Sequence, residues 1–157
     1  MIGLLQRVSR ASVTVNNQIV GEIGLGLVVL IAVQRNDAAA QANRLLERVL
    51  TYRVFEDEAG RMNIDVTQAN GGLLLVPQFT LAANTRKGNR PSFTDAAEPE
   101  VSKALYEELV DAARSKWNKV ASGIFGENMD VSLINQGPVT FWLEVPPNES
   151  QRSSTAK

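Results

Sequence analysis

Two short segments of this 157-residue chain hold groups able to do chemistry: Pro77-Gln78-Phe79-Thr80-Leu81 and Asn135-Gln136-Gly137-Pro138-Val139-Thr140. Each sits at the end of an apolar run, where a strand would deliver backbone amides and carbonyls to a site. The chain has no histidine and no cysteine. Ser–His–Asp and Cys–His relays need an imidazole and are excluded. Zinc would have to accept an all-carboxylate site, which it rarely does. What remains is chemistry run by backbone amides, hydroxyls, carboxamides or the substrate itself. Neither a cofactor nor a metal is expected. Asp57, Glu58, Asp65, Glu127 and Asp130 lie near turns without the spacing of a calcium loop. Gly24-Leu25-Gly26 lacks the third glycine and flanking helix of a dinucleotide fingerprint.

Each candidate has a plainer reading. Thr80 offers a nucleophile, but no histidine or nearby lysine would activate it, so a hydrogen-bonding role ranks ahead. Gln78 places a polar group at the end of an apolar strand, where it must be satisfied or face a ligand. Asn84-Thr85-Arg86-Lys87-Gly88-Asn89-Arg90-Pro91 packs three cations into one loop. A solvated turn is the ordinary reading, and the position directly after the first motif favours phosphate contact. Arg7 is either a rim charge or a clamp on backbone carbonyls. Gly137-Pro138 reads most simply as a hairpin turn. A cis bond there would instead point two carbonyls the same way, as an acceptor pair for an ammonium group, and the pattern leaves both geometries open.

The elements that must position these groups are mostly strands. Ile2–Val8 and Ala11–Val15 read as strands, and Asn16-Asn17 as a hairpin turn returning through Gln18–Val20. Leu27–Val33 is a continuous apolar run, suited to a strand covered on both faces. Asp37 is placed to cap a helix over about residues 38–51, with Ala42, Leu45, Leu46, Val49 and Leu50 on one stripe. Arg53–Phe55 and Arg61–Ile64 flank a Glu58-Ala59-Gly60 turn. Leu73–Val76 is the strand that carries the first motif. Pro99 opens a second helix with the stripe Val101, Leu105, Leu109 and Ala112. Residues 129–145 read as two strand pieces broken at Asn135–Pro138. One domain over residues 1–145 is expected, followed by a disordered tail at 146–157 without hydrophobic anchors.

Sixteen basic against seventeen acidic side chains give a net charge of −1, unlike proteins that coat duplex nucleic acid through many phosphate contacts. An RNA end held by a local patch remains compatible with that balance. No stretch has the length of a membrane span, the first eight residues do not form a secretory signal, and zero cysteines fit a reducing compartment. The reading is cytoplasmic, with no membrane partner.

Taken together and in order, Gln6-Arg7-Val8, Tyr52-Arg53-Val54-Phe55, Gly60-Arg61-Met62-Asn63, Gln78-Phe79-Thr80-Leu81, Arg90-Pro91-Ser92-Phe93 and Asn135–Thr140 resemble bacterial D-aminoacyl-tRNA deacylases over about residues 1–145. One position departs: the family usually has serine where this chain has Pro77. A related group of animal deacylases has proline there but alanine at the position of Phe79, so this chain looks like the D-selective branch. With the strand pattern, the resemblance implies an α/β fold of mixed β-sheets in a β/β/α layered, barrel-like arrangement, two main helices on one side.

The resemblance further implies hydrolysis of the ester between a D-amino acid and the 3′-terminal adenosine of tRNA, as chiral proofreading in translation, with glycyl-tRNA also cleaved. It implies a homodimer in which Gly137-Pro138 is cis and enters the partner's pocket. There its carbonyls hold the substrate α-ammonium and an L side chain would collide, while Arg7 locks the motif. The backbone amides of Phe79 and Thr80, with Gln78 beside them, would form an oxyanion hole, each donor being worth about 3 kcal/mol. Phe125 and Met129 correspond to the adenosine pocket, and the tRNA 2′-hydroxyl does the proton work. Two alternatives stand beside this: Thr80 as a true nucleophile, and a non-catalytic tRNA 3′-end binding or editing-accessory protein.

Overall fold

A long first strand organises the molecule. In the computed structural model, which describes residues 1–147, Ile2–Val8 and Ala11–Val15 are not two strands but one, β1 (Ile2–Val15). Leu5 of its first half enters one apolar cluster and Val8, Ala11 and Val13 of its second half enter another, so one continuous strand serves both. Asn16 and Asn17 turn the chain with φ of 50° and 62°, the left-handed pair that a two-residue hairpin needs. β2 (Gln18–Ile23) then returns along the second half of β1. β3 (Gly26–Ala32) pairs antiparallel with the first half, Leu5 opposite Val29. The crossover through α1 (Ala39–Thr51) and the small hairpin β4 (Phe55–Glu56) and β5 (Met62–Ile64) leads to β6 (Gly72–Pro77), parallel to β3 with Leu30 opposite Val76. After α2 (Pro99–Lys116), β7 (Val120–Ser122) adds parallel to β6, and β8 (Asp130–Glu144) runs antiparallel along β1.

The sheet bends until its ends meet. Gly21 of β2 lies against β7 so closely that a Cβ there would stand 2.8 Å from the Ser122 carbonyl oxygen. One face of β3 and β6 carries Leu27, Val29, Ile31, Leu73 and Leu75 into the core under the helices, shared with Leu45, Leu46 and Val49 of α1 and Leu105, Tyr106 and Leu109 of α2. The other face puts Val28, Leu74 and Val76 into the barrel with Val8, Ala11 and Val13. Both faces of β3 and β6 are therefore dry, which is why their runs are apolar without alternation.

Three further expectations need correcting. Asp37 does not cap α1. It is buried, and its carboxylate takes the Met1 ammonium at 2.7 Å and the Gln34 N–H at 2.7 Å. The start of α1 is held instead by Gln41, whose side-chain oxygen accepts the Ala38 N–H at 3.0 Å. The stripe of α2 is displaced: Val101 is 47% exposed, and Ser102, Leu105, Tyr106, Leu109, Val110 and Ala113 are buried. Of residues 129–145, Asp130–Glu144 form the single strand β8, and Gly137-Pro138 is not a hairpin turn. Pairing runs from Val8–Asn135 to Gln6–Thr140, so residues 136–139 bulge out opposite Arg7 alone. The Gly137–Pro138 peptide in that bulge is cis. Of the tail expected at 146–157, residues 148–157 lie outside the described residues.

Candidate active site

Parallel β6 ends at Pro77, and the backbone turns there because its partner β3 is also ending. The Gln78 N–H makes the last bond to β3, to the Ile31 carbonyl at 2.7 Å. A single 3₁₀ turn follows at Phe79–Ala82, closed by the Leu81 N–H on the Gln78 carbonyl at 3.2 Å. The first N–H groups of such a turn have no acceptor within it. Among the described residues, neither the Phe79 nor the Thr80 N–H has a hydrogen-bond partner. The Gln78 carboxamide donates to the Thr80 hydroxyl, tying the side chains of the turn together. That bond occupies Thr80 with a neutral amide that cannot take its proton.

Beside the turn lies a cleft of about 470 Å³, lined by Gln78, Phe79, Phe125 and Met129 together with Pro77, Val76, Ala97, Pro99, Ser102 and the 126–128 loop. Its size suits a nucleoside-sized ligand. Four of the eight candidate site residues thus meet in one place, and Thr80 adjoins them through Gln78. The Phe125 and Met129 wall is built by close approach at Gly123, where a Cβ would stand 2.7 Å from the Met129 sulfur and 3.2 Å from Pro77 Cδ. Gly123 also donates its N–H to the Leu75 carbonyl at 2.8 Å.

Tyr106 fastens this wall from behind and was not anticipated from the sequence. Its hydroxyl lies 2.9 Å from the Leu75 carbonyl and 3.2 Å from that of Gly123, sharing one proton between them, and its ring packs on Phe125. Burial pushes the phenol pKa far up, so it stays protonated and keeps donating. A buried stripe drawn through residues 102, 105, 106, 109 and 113 would have included it.

Arg7, Gly137 and Pro138 lie elsewhere. The Arg7 guanidinium donates to the Val54 carbonyl at 2.6 Å and approaches Glu56 at 3.9 Å, while its Nε is buried without a partner. Its own carbonyl accepts the Asn135 side-chain amide at 3.1 Å, and the same amide reaches the Val139 carbonyl at 3.1 Å. Asn135 therefore closes the bulge and holds exposed Gly137 and Pro138 outward. Neither residue lines the cleft of its own chain.

A family model described as D-Tyr-tRNA(Tyr) deacylase matches residues 4–144. A D-aminoacyl-tRNA deacylase of Thioalkalivibrio sulfidiphilus is 64% identical over 147 residues, 94% of this chain and 99% of that protein. One of Ralstonia nicotianae is 53% identical over 164 residues, 100% of this chain and 99% of that protein. Among solved structures, a c-Myc DNA unwinding element binding protein superposes with a TM-score of 0.88 at 36% identity, covering 93% of this chain and 99% of that one. A probable eukaryotic D-amino acid tRNA deacylase shares the fold, with a TM-score of 0.79 at 19% identity over 92% of this chain and 98% of that one.

Proposed function

The chain belongs to the D-Tyr-tRNA(Tyr) deacylase family, and on that premise we propose that it removes D-amino acids from tRNA by ester hydrolysis at the terminal adenosine. It is a hydrolase, and aminoacyl-tRNA is its substrate. The reaction releases free D-amino acid and tRNA, proofreading chirality in translation; achiral glycine passes the same filter. The reading includes a cytoplasmic location, where aminoacyl-tRNA is used. No helix among the described residues is long and apolar enough to cross a membrane.

The observation that carries the mechanism is the pair of unpartnered N–H groups of Phe79, which lines the cleft, and of Thr80 next to it. Water attacks the ester carbon, and the carbonyl oxygen gains negative charge that these two donors stabilise. Such a donor is worth about 3 kcal/mol in the transition state. Gln78 holds the turn through Thr80. Phe125 and Met129 take the adenosine. The 2′-hydroxyl of that adenosine manages the proton, which accords with a chain that has no histidine. The substrate α-ammonium binds the carbonyls of Gly137 and Pro138 from a second subunit. Their exposure on a braced bulge, remote from their own cleft, supports that division. Arg7 braces the bulge through its carbonyl.

The test is release of labelled tyrosine from D-tyrosyl-tRNA and L-tyrosyl-tRNA with EDTA present. Release is expected from the D form only and unaffected by chelation. On tRNA ending in 2′-deoxyadenosine, the rate is expected to fall at least about a hundredfold, the usual scale of acid–base assistance; full activity there would remove the 2′-hydroxyl from the mechanism. Thr80→Val is expected to keep turnover within about tenfold, the value of one neutral hydrogen bond. Abolished turnover and a trapped acyl-threonine would revive the nucleophile reading. No release from either tRNA would leave a binding protein.

A further inference from the structure

Phe79 extends beyond the cleft it lines. Its ring is 53% exposed and stands 5.1 Å from that of Phe93, itself 41% exposed, at an angle of 56°. Phe93 does not line the cleft, so the two rings carry an aromatic surface outward from its rim. A lone exposed aromatic needs no explanation, but two in contact form a patch. The patch adjoins a loop of one charge sign. Asn84 and Ser92 exchange backbone bonds of 2.7 and 3.1 Å, closing a loop that leaves just after the Phe79–Ala82 turn and returns immediately before Phe93. Its exposed cations are Arg86, Lys87 and Arg90, none of them in an ion pair among the described residues. No carboxylate occurs from Asn84 through Thr94.

We propose that the Phe79–Phe93 rings and the 84–92 loop form a subsite for the single-stranded nucleotide preceding the terminal adenosine, its base stacked on the rings and its phosphate met by the loop cations. Exposed aromatics beside a cationic groove are how single strands are held, and stacking tolerates any base. The all-positive loop argues for a polyanion over a protein partner. The proposal rests on the deacylase reading, because it takes the terminal adenosine to occupy the adjoining cleft. It gives the enzyme a grip on the strand one nucleotide beyond the scissile ester.

Two substrates separate this role from a structural one: D-tyrosyl-adenosine, which lacks the preceding nucleotide, and D-tyrosyl-tRNA. Phe93→Leu keeps apolar packing on Phe79 but removes the π face. It is expected to lose about tenfold in kcat/KM on the tRNA substrate, mainly through KM, with no change on D-tyrosyl-adenosine. Phe93→Trp is expected to restore the tRNA rate. Replacing Arg86, Lys87 and Arg90 together by glutamine is expected to flatten the salt dependence on tRNA alone. Equal loss on both substrates, or no loss on tRNA, would overturn the subsite. A wild type inactive on both would overturn the deacylase reading instead. The subsite would then stand or fall on whether Phe93→Leu weakens binding of an uncharged RNA ending in CCA.

Discussion

A proline in a strand removes an N–H, so its effect depends on which neighbour that N–H would have addressed. In β6 the Leu73 N–H bonds toward β7 at the Lys119 carbonyl, and the Gln78 N–H bonds toward β3 at Ile31. Alternation points position 77 toward β7. That strand's last pair is Leu75–Ser122, and the next carbonyl in line, that of Gly123, takes the Tyr106 hydroxyl at 3.2 Å instead. Pro77 therefore leaves no carbonyl of that ladder without a donor, while the unpartnered N–H groups of the site, among the described residues, belong to Phe79 and Thr80. Pro77→Ser is accordingly expected to shift unfolding free energy by no more than about 0.5 kcal/mol. The rate on D-tyrosyl-tRNA is expected to stay within a factor of about three, on the same energy scale. A large gain on introducing serine would mean that position 77 acts on the ester after all.

At the scale of elements, the cleft depends on how α2 meets the sheet. Tyr106 is the contact between that helix, the end of β6 and the segment leading to Phe125 and Met129. Its hydroxyl is the only part that Tyr106→Phe removes. Leu75 keeps its bond from the Gly123 N–H, so chiefly the Gly123 carbonyl loses a partner. A loss of about 1–2 kcal/mol follows from an unsatisfied buried acceptor, read as a lower urea midpoint at unchanged slope. Because the freed segment forms the cleft wall proposed to take the adenosine, KM for aminoacyl-tRNA is expected to rise more than kcat falls. A variant with normal stability but depressed kcat would assign Tyr106 to the chemistry.

At the scale of the whole molecule, the two motifs occupy different places. Gln78 and Phe79 line the cleft, and exposed Gly137-Pro138 sits in the β8 bulge away from it. Trp142 and Ile134 on the same strand are exposed. If the site is completed across a two-fold dimer, defects in the two motifs must complement. Gly137→Phe and Met129→Lys are each expected to be inactive alone. Mixed and allowed to exchange subunits, they are expected to recover about a quarter of wild-type activity, since half the dimers are mixed and each then has one intact site. No recovery after verified exchange would place each site within one chain.

Strand and helix positions were largely legible because burial imposes a period: the Leu27–Val33 run and the α1 stripe through Leu45 and Val49 read correctly. The absence of histidine and cysteine alone narrowed the chemistry to backbone, hydroxyl, carboxamide and substrate groups, since composition limits which protons and metals a chain can handle. Asp37, Val101 and Tyr106 were misread or missed because a local pattern does not show the partner: a buried ammonium competed for the carboxylate, and helix rotation is set by the sheet beneath it. The bulge at residues 136–139 depends on its register with Arg7 across the chain. The free N–H groups of Phe79 and Thr80 likewise depend on where β3 and β6 stop pairing. Side-chain identity and periodicity are local properties that the sequence determined by itself. Which backbone groups are left unpaired, and what they face, is a sum over the contacts of the folded chain, and only the tertiary structure decided it.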